Sequence, residues 1–277
     1  MTYIELSISI NPRDPWSDII MQELANIGFD SFMENDAGFT AYIPEVNYVK
    51  DLPEEILKKH TKNARIILLE KVIPSENWNQ EWEKNFQPVT IPNKLYIRAE
   101  FHPKAVGYEH EIIIQPKMSF GTGHHETTIQ VSALMFDIDF KGKTVLDMGC
   151  GTGILAILAE KLGAEEITAI DNDEWCTLNT KENIAANTCI KIKVKHGGKE
   201  KIGTKPHDVI IANINRNILL NMAPELSKAL KKGGNLLLSG FYREDLATLT
   251  DCFFKHGINL VSHIEKNKWV AAVFKKN

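Results

Sequence analysis

Residues 145–157 read Val-Leu-Asp-Met-Gly-Cys-Gly-Thr-Gly-Ile-Leu-Ala-Ile: an apolar run closed by an acid, three alternating glycines, then a second apolar run. A short apolar run punctuated by glycine and followed by helix formers is a strand feeding a helix through a tight turn. The pattern then repeats, and few folds accommodate it. Strands are expected at Thr144–Asp147, Ile167–Ile170, Ile192–Lys195, Val209–Ile214 and Leu236–Leu238. Helices are expected at Gly153–Leu162, Asp173–Asn187, Asn217–Lys231 and Glu244–His256. Such alternation builds βαβ units around a mostly parallel sheet. Leu260–Ile264 and Trp269–Phe274 follow with no helix between them, so the sheet should close on an antiparallel hairpin.

The first 60 residues differ in texture and in charge. Tyr3–Ile10 alternates as a half-buried strand does, and Pro15 opens a helix that Gly28 stops. Phe39–Ile43 and a weaker Asn47–Asp51 read as strands, Pro53–His60 as a short helix, and Arg65–Ile73 as β-rich. A small split-βαβ, ferredoxin-like α/β domain fits this order. The expected organisation is 1–62 for that domain, 63–95 for a linker and 96–277 for the α/β domain with the glycine turn. In the linker, Trp78, Trp82 and Phe86 recur at helical spacing, a stripe for packing one face of a connector helix. Residues 1–60 hold eleven acids and four bases, a net −7 in a chain whose total is −4. That surplus is either a solvated surface or a docking face for a basic partner.

The acidic balance argues against broad nucleic-acid binding, and no direct sequence-specific nucleic-acid contact is expected. No apolar run reaches the length of a membrane span, and Met1–Ile10 lacks the basic start of a signal peptide. Four cysteines without a CxxC pair give neither a disulfide framework nor a zinc site. A cytoplasmic monomer is the expectation, with no metal: His124 and His125 are adjacent, but HExxH and a third ligand at helical spacing are missing.

The chemistry gathers where strands end. In a doubly wound sheet, ligands bind at the carboxyl edge beside the first turn. A dinucleotide fingerprint needs glycine at 154, where Ile154 stands, and Asp147 is ill suited to lie beside a pyrophosphate. A carboxylate there suits a ligand that carries an ammonium and a sulfonium, namely S-adenosylmethionine. Asp171, at the next strand end, is placed to accept from both ribose hydroxyls, while Asp173 is placed to cap the following helix. Asn213, at the end of the fourth strand, offers a carbonyl acceptor to an amine. Upstream, Ser119-Phe120-Gly121-Thr122-Gly123-His124-His125-Glu126-Thr127-Thr128 forms a glycine-containing loop into a helix that Thr127 or Thr128 would cap.

Residues 120–128, Phe-Gly-Thr-Gly-His-His-Glu-Thr-Thr, resemble the signature of the bacterial methyltransferases that modify ribosomal protein eleven of the large subunit (the PrmA family). The Trp78–Trp82–Phe86–Pro88 stretch, the motif from Asp147 to Ile157, and Ser239-Gly240 are similar to that family as well. The resemblance covers about residues 75–277. It implies a Rossmann-like, seven-stranded methyltransferase sheet and S-adenosylmethionine contacts from Thr128, Gly149, Asp171 and Asn213, to which Asp147 and Gly151 are added from the turn itself. It also implies substrate recognition by the N-terminal domain and methylation of lysine and N-terminal amines. Asn215-Arg216 departs from the Leu-Ala that many members carry.

For such a reaction a free lysine must first become neutral, which at pH 7 costs about 5 kcal/mol. Alignment of nitrogen, methyl and sulfur does the rest. Asn213 would orient the amine. His125 is the candidate proton acceptor, since an ordinary imidazole is mostly neutral at pH 7, with a loop-shaping role as the alternative. A nucleobase methyltransferase is disfavoured because Asn213-Ile214-Asn215-Arg216 lacks the Pro-Pro-aromatic platform for a flipped base. A nicotinamide oxidoreductase is disfavoured by Ile154 and Asp147. A non-catalytic binding module leaves the cofactor constellation without a use.

Overall fold

The computed structural model describes residues 2–74, 83, 85–117 and 119–277, in two compact units divided between Asn85 and Phe86. Trp78 and Trp82, and with them most of the expected aromatic stripe, lie outside the described residues.

The first unit runs β1 (Tyr3–Asn11), α1 (Trp16–Asn26), β2 (Ser31–Asn35), β3 (Gly38–Pro44), α2 (Leu52–His60) and β4 (Arg65–Ile73). Its sheet has the order β2-β3-β1-β4, the ferredoxin-like arrangement. Ile4, Leu6, Ile8 and Ile10 point to one face of β1, where they pack with Ile20 and Leu24 of α1 and Ile56 and Leu57 of α2. Two expectations change here. Asn47–Asp51 is not a strand, because a single 3-10 turn at Glu45–Asn47 takes the chain from β3 towards α2. Residues 65–73 are not linker, because β4 pairs with β1 from Arg65↔Asn11 to Ile73↔Tyr3.

The second unit opens with a three-stranded sheet of β5 (Val89–Ile91), β6 (Leu95–Arg98) and β7 (His110–Ile113), starting several residues before the expected boundary at 96. Then come α3 (Glu126–Met135), β8 (Thr144–Met148), α4 (Ile154–Lys161), β9 (Glu166–Asp171), α5 (Glu174–Ala186) and β10 (Ile192–His196). The chain continues through β11 (His207–Asn213), α6 (Arg216–Ala229), β12 (Leu230–Tyr242), α7 (Leu246–Phe254), β13 (Ile258–Lys266) and β14 (Trp269–Lys276). The seven-stranded sheet has the order β10-β9-β8-β11-β12-β14-β13, parallel except that β14 runs antiparallel to both its neighbours. This is the doubly wound sheet with a terminal hairpin that the sequence pattern requires.

Burial on both faces explains the continuous apolar runs of the central strands. Val145 and Ile211 pack with Val131 of α3 and Leu155 and Leu158 of α4 on one side. Leu146 and Ile210 pack with Leu219 and Leu226 of α6 and Phe253 of α7 on the other. Each such side chain removed from water contributes about 1.5–3 kcal/mol. Because the chain goes outward from β8 through β9 to β10 and then crosses back to β11, the strand order reverses between β8 and β11. A crevice opens at such a reversal, outside the carboxyl ends of the two strands.

Among the described residues no helix is long and apolar enough to cross a membrane, and no cluster of three or more His, Cys, Asp or Glu could hold a metal.

Candidate functional site

The turn after β8 can only be made of glycine. Gly149 and Gly151 have φ of +75° and +55°, in the region that side chains disfavour. A Cβ on Gly149 would lie 2.1 Å from Ile214 Cγ2, and one on Gly151 would lie 2.2 Å from the Phe120 carbonyl oxygen. The turn is therefore pressed between the end of β11 and the 119–125 loop. That loop is bonded to it: Thr152 N–H donates to Phe120 O at 2.9 Å, and Thr152 Oγ1 donates to Gly121 O at 2.6 Å.

Asp147 lies beneath this turn, fully buried. Its Oδ2 accepts the Ala156 N–H at 3.1 Å, so the strand supplies a cap to α4, whose own N-cap, Gly153, has no side chain to offer. Oδ1 has no partner among the described residues. Burial, assisted by the charge of Asp171 and opposed by the Ala156 N–H, pushes the carboxyl up to about 7. The expectation that Asp147 faces a cationic ligand thus takes another form: it reaches the crevice through the turn it holds rather than by an exposed contact.

Asp171 ends β9, as the sequence suggests, and is 7% exposed. Its Oδ2 accepts the Gly151 N–H at 2.8 Å and its Oδ1 accepts the Asp173 N–H at 3.0 Å. The two oxygens of a carboxylate have about four acceptor positions, so room remains for hydroxyl donors. Asp173 caps α5 through the Trp175 N–H.

Asn213 and Thr128 meet across the crevice. Asn213 Nδ2 donates to Thr128 Oγ1 at 3.4 Å, which turns the amide so that its carbonyl oxygen Oδ1 is buried without a partner among the described residues. A neutral buried acceptor left unsatisfied costs about 1–3 kcal/mol, which a ligand N–H would recover. The Asn213 side chain borders a cavity of about 230 Å³ lined also by Phe120, His125, Ile214, Gly240 and Trp269.

His125, rather than either threonine, caps α3, with Nδ1 accepting the Thr127 N–H at 3.3 Å. The same Nδ1 lies 2.9 Å from Thr127 Oγ1, so this ring nitrogen is engaged at the start of the helix. The imidazole stands between Phe120 and Trp269, with ring centroids 5.2 Å and 4.8 Å away. Thr128 lies one turn inside the helix, fully buried.

One group of site-supporting residues escapes the sequence reading. Asn179 and Asn183 of α5 and Asn187 at its C-cap, spaced i, i+4 and i+8, are all buried. Asn187 exchanges both hydrogen bonds with the backbone of Ile113, as a neighbouring strand would. Asn183 accepts the Gln115 N–H at 2.8 Å and donates to Thr152 O at 2.8 Å, tying the approach to the 119–125 loop to the glycine turn. Asn179 donates to Gln115 O at 3.3 Å. The only signal in the sequence is polar side chains at helical spacing on a face that ought to be apolar.

The arrangement suits S-adenosylmethionine: glycine backbone at the crevice floor, a strand-end carboxylate with spare acceptor positions, and an amide carbonyl that has no partner among the described residues. A family profile described as ribosomal protein L11 methyltransferase (PrmA) matches residues 14–277. A ribosomal protein L11 methyltransferase of Porphyromonas gingivalis is 46% identical over 260 residues, covering 93% of this chain and 90% of that protein. One of Phocaeicola vulgatus is 43% identical over 282 residues, covering 99% of each. Among solved structures, a ribosomal protein L11 methylase from Lactobacillus delbrueckii subsp. bulgaricus superposes with a TM-score of 0.64 at 26% identity, over 69% of this chain and 100% of that one.

Proposed function

The chain belongs to the ribosomal protein L11 methyltransferase (PrmA) family, and from that premise we propose that it methylates amino nitrogens, those of lysine side chains and the N-terminus, of ribosomal protein L11. It is an S-adenosylmethionine-dependent methyltransferase. The observation that carries the amine assignment is the buried Oδ1 of Asn213 at the end of β11, which has no partner among the described residues.

When bound, S-adenosylmethionine supplies an electrophilic methyl group on its sulfonium. In this reading Asp171 accepts from the ribose hydroxyls, and Gly149 and Gly151 let the backbone approach the cofactor. Thr128 and Asn213 hold the far side of the site, and Asp147 fixes the turn from below. Asn213 Oδ1 accepts an N–H of the target amine and aims the nitrogen lone pair. Alignment of this kind contributes more than covalent assistance, because the amine is itself the nucleophile. His125 shapes the chamber as an aromatic wall, with its Nδ1 engaged by Thr127 at the cap of α3. Burial among Phe120, His125 and Trp269 disfavours the charged ammonium and recovers part of the cost of deprotonation.

The N-terminal unit, with its acidic surplus, captures the basic substrate, and the enzyme works as a cytoplasmic monomer without nucleic-acid contacts of its own. Mass spectrometry of ribosomal protein L11 after incubation with labelled S-adenosylmethionine should locate label on amino nitrogens. Labelled cofactor with no transfer to that protein would refute the substrate.

A further inference from the structure

The cavity at Asn213 adjoins a second one, of about 400 Å³, that methyl transfer itself does not use. The two share Asn215, Gly240 and Trp269, and Arg216, Tyr242 and Asp245 line the outer one. Trp269 is the partition: its ring lies 4.2 Å from Tyr242 and 4.8 Å from His125. Whatever occupies the outer chamber therefore lies next to the chain that carries the reacting amine.

Arg216 is the only cation among the described residues lining this chamber. Its Nε lies 2.9 Å from Asp245 Oδ1, an ion pair without the alignment of a hydrogen bond, so this buried N–H lacks an acceptor among the described residues. Nη1 donates to Asn217 Oδ1 at 3.3 Å. A guanidinium has five N–H donors and no acceptor, so most of the fork is uncommitted. Asp245 is in the opposite condition: Oδ1 faces Arg216, and Oδ2 accepts the Tyr242 N–H at 3.2 Å. The two charges balance, but the donors do not, and the chamber is built to receive an acceptor.

We propose that the outer chamber reads the residue beside the target amine, with Arg216 receiving a carboxylate and turning away a second cation. This rests on the reading of the protein as an amine methyltransferase of ribosomal protein L11 and states which of that protein's amines it selects. A carboxylate meets the guanidinium fork in the two-bond geometry that favours arginine over lysine. A flanking lysine or arginine instead brings like charges together, which suppresses the wrong register. A basic substrate offers many amines, and a neighbour test separates them.

The experiment starts from full-length enzyme and ribosomal protein L11, with the methylated amines mapped by mass spectrometry. The residues on either side of one such amine are then replaced together by Glu, Gln or Arg, and initial rates are compared in competition. The wild-type enzyme should prefer the Glu-flanked over the Arg-flanked substrate by about tenfold. Arg216→Gln should remove that preference, and Arg216→Glu, placed beside Asp245, should reverse it. Calorimetry with S-adenosylmethionine should be unchanged in both variants, and Arg216→Gln, which puts no like charge beside Asp245, should unfold close to the wild-type temperature, which separates selectivity from folding. Equal wild-type rates on the three substrates, or a preference that survives Arg216→Gln, would overturn the proposal. Intact cofactor binding with no methylation of any version of ribosomal protein L11 would overturn the reading on which it rests.

Discussion

In the proposed reading Asp171 holds the cofactor's ribose and Asn213 the target amine, and substitution should separate the two roles. Asp171→Ala removes charge-assisted bonds worth about 1.5–3 kcal/mol each, so S-adenosylmethionine affinity should fall at least about tenfold by calorimetry. An unchanged dissociation constant would sink the ribose assignment. Asn213→Ala should lower kcat more than it raises the cofactor's dissociation constant; equal changes in both would mean that Asn213 only holds the cofactor. Asp147 gives a pH signature. Its folded pKa, about 7, lies above the ordinary 3.8, so between those values the folded state binds the extra proton and stability falls as pH rises. His207, buried at the start of β11 with its pKa lowered by burial, has the opposite slope, since the unfolded chain takes up protons first as pH falls below 6.5. Asp147→Asn isolates the first effect. In cofactor-free protein its stability advantage over wild type should grow from pH 4 to pH 7 and then level off, reaching at most about 4 kcal/mol. Urea unfolding across that range checks it, and an advantage independent of pH would contradict the buried, raised carboxyl. The strand-end positions of Asp171 and Asn213 were legible because each closes a buried apolar run with a polar side chain. The burial of Asp147 and the capping role of His125 were not, because each depends on where a neighbouring backbone N–H points.

At the scale of elements, the asparagine face of α5 is a structural joint with a functional end. Asn183→Ala leaves the Gln115 N–H and one acceptor of Thr152 without side-chain partners, a loss of about 1–3 kcal/mol for each buried group left unsatisfied. Because Thr152 belongs to the glycine turn, cofactor affinity should fall along with stability. Asn187→Ala breaks two comparable bonds to Ile113, away from the turn, and should destabilise with little change in affinity. Parallel urea and calorimetric titrations of the two variants test this, and equal effects on affinity would show that the joint does not reach the site. The long helices and buried strands were readable because period and glycine punctuation agree over many residues. The short elements were not. β2 has no fully buried residue, so it carries no alternation for a reader to find. β5 and β7 are only 3 and 4 residues long, and they exist as strands because β6 lies between them.

At the scale of the molecule, the two units imply a sharper dissection than the sequence did. A cut near Arg65 would strand β4 away from β1, whereas a cut before Phe86 follows the division between units. Residues 86–277 should fold and retain S-adenosylmethionine affinity while losing most methylation of ribosomal protein L11, if the acidic unit captures the substrate. Higher ionic strength should slow capture by the full-length enzyme in the same assay, since exposed charges are screened within about 10 Å at 0.1 M salt. A fragment that methylates at the full-length rate would remove the capture role. By itself the sequence determined the doubly wound sheet, the terminal hairpin, the cofactor class and the strand-end residues, because hydrophobic period and glycine placement are local properties written into consecutive residues. Only the tertiary structure decided that β4 completes the first sheet, that three asparagines stand in for a strand, and that the Asn213 carbonyl, without a partner among the described residues, borders a cavity that shares Trp269 with the one Arg216 lines. Each of these is a pairing between residues distant in the chain, and a hydrogen bond or a cavity exists only once both sides have been brought together.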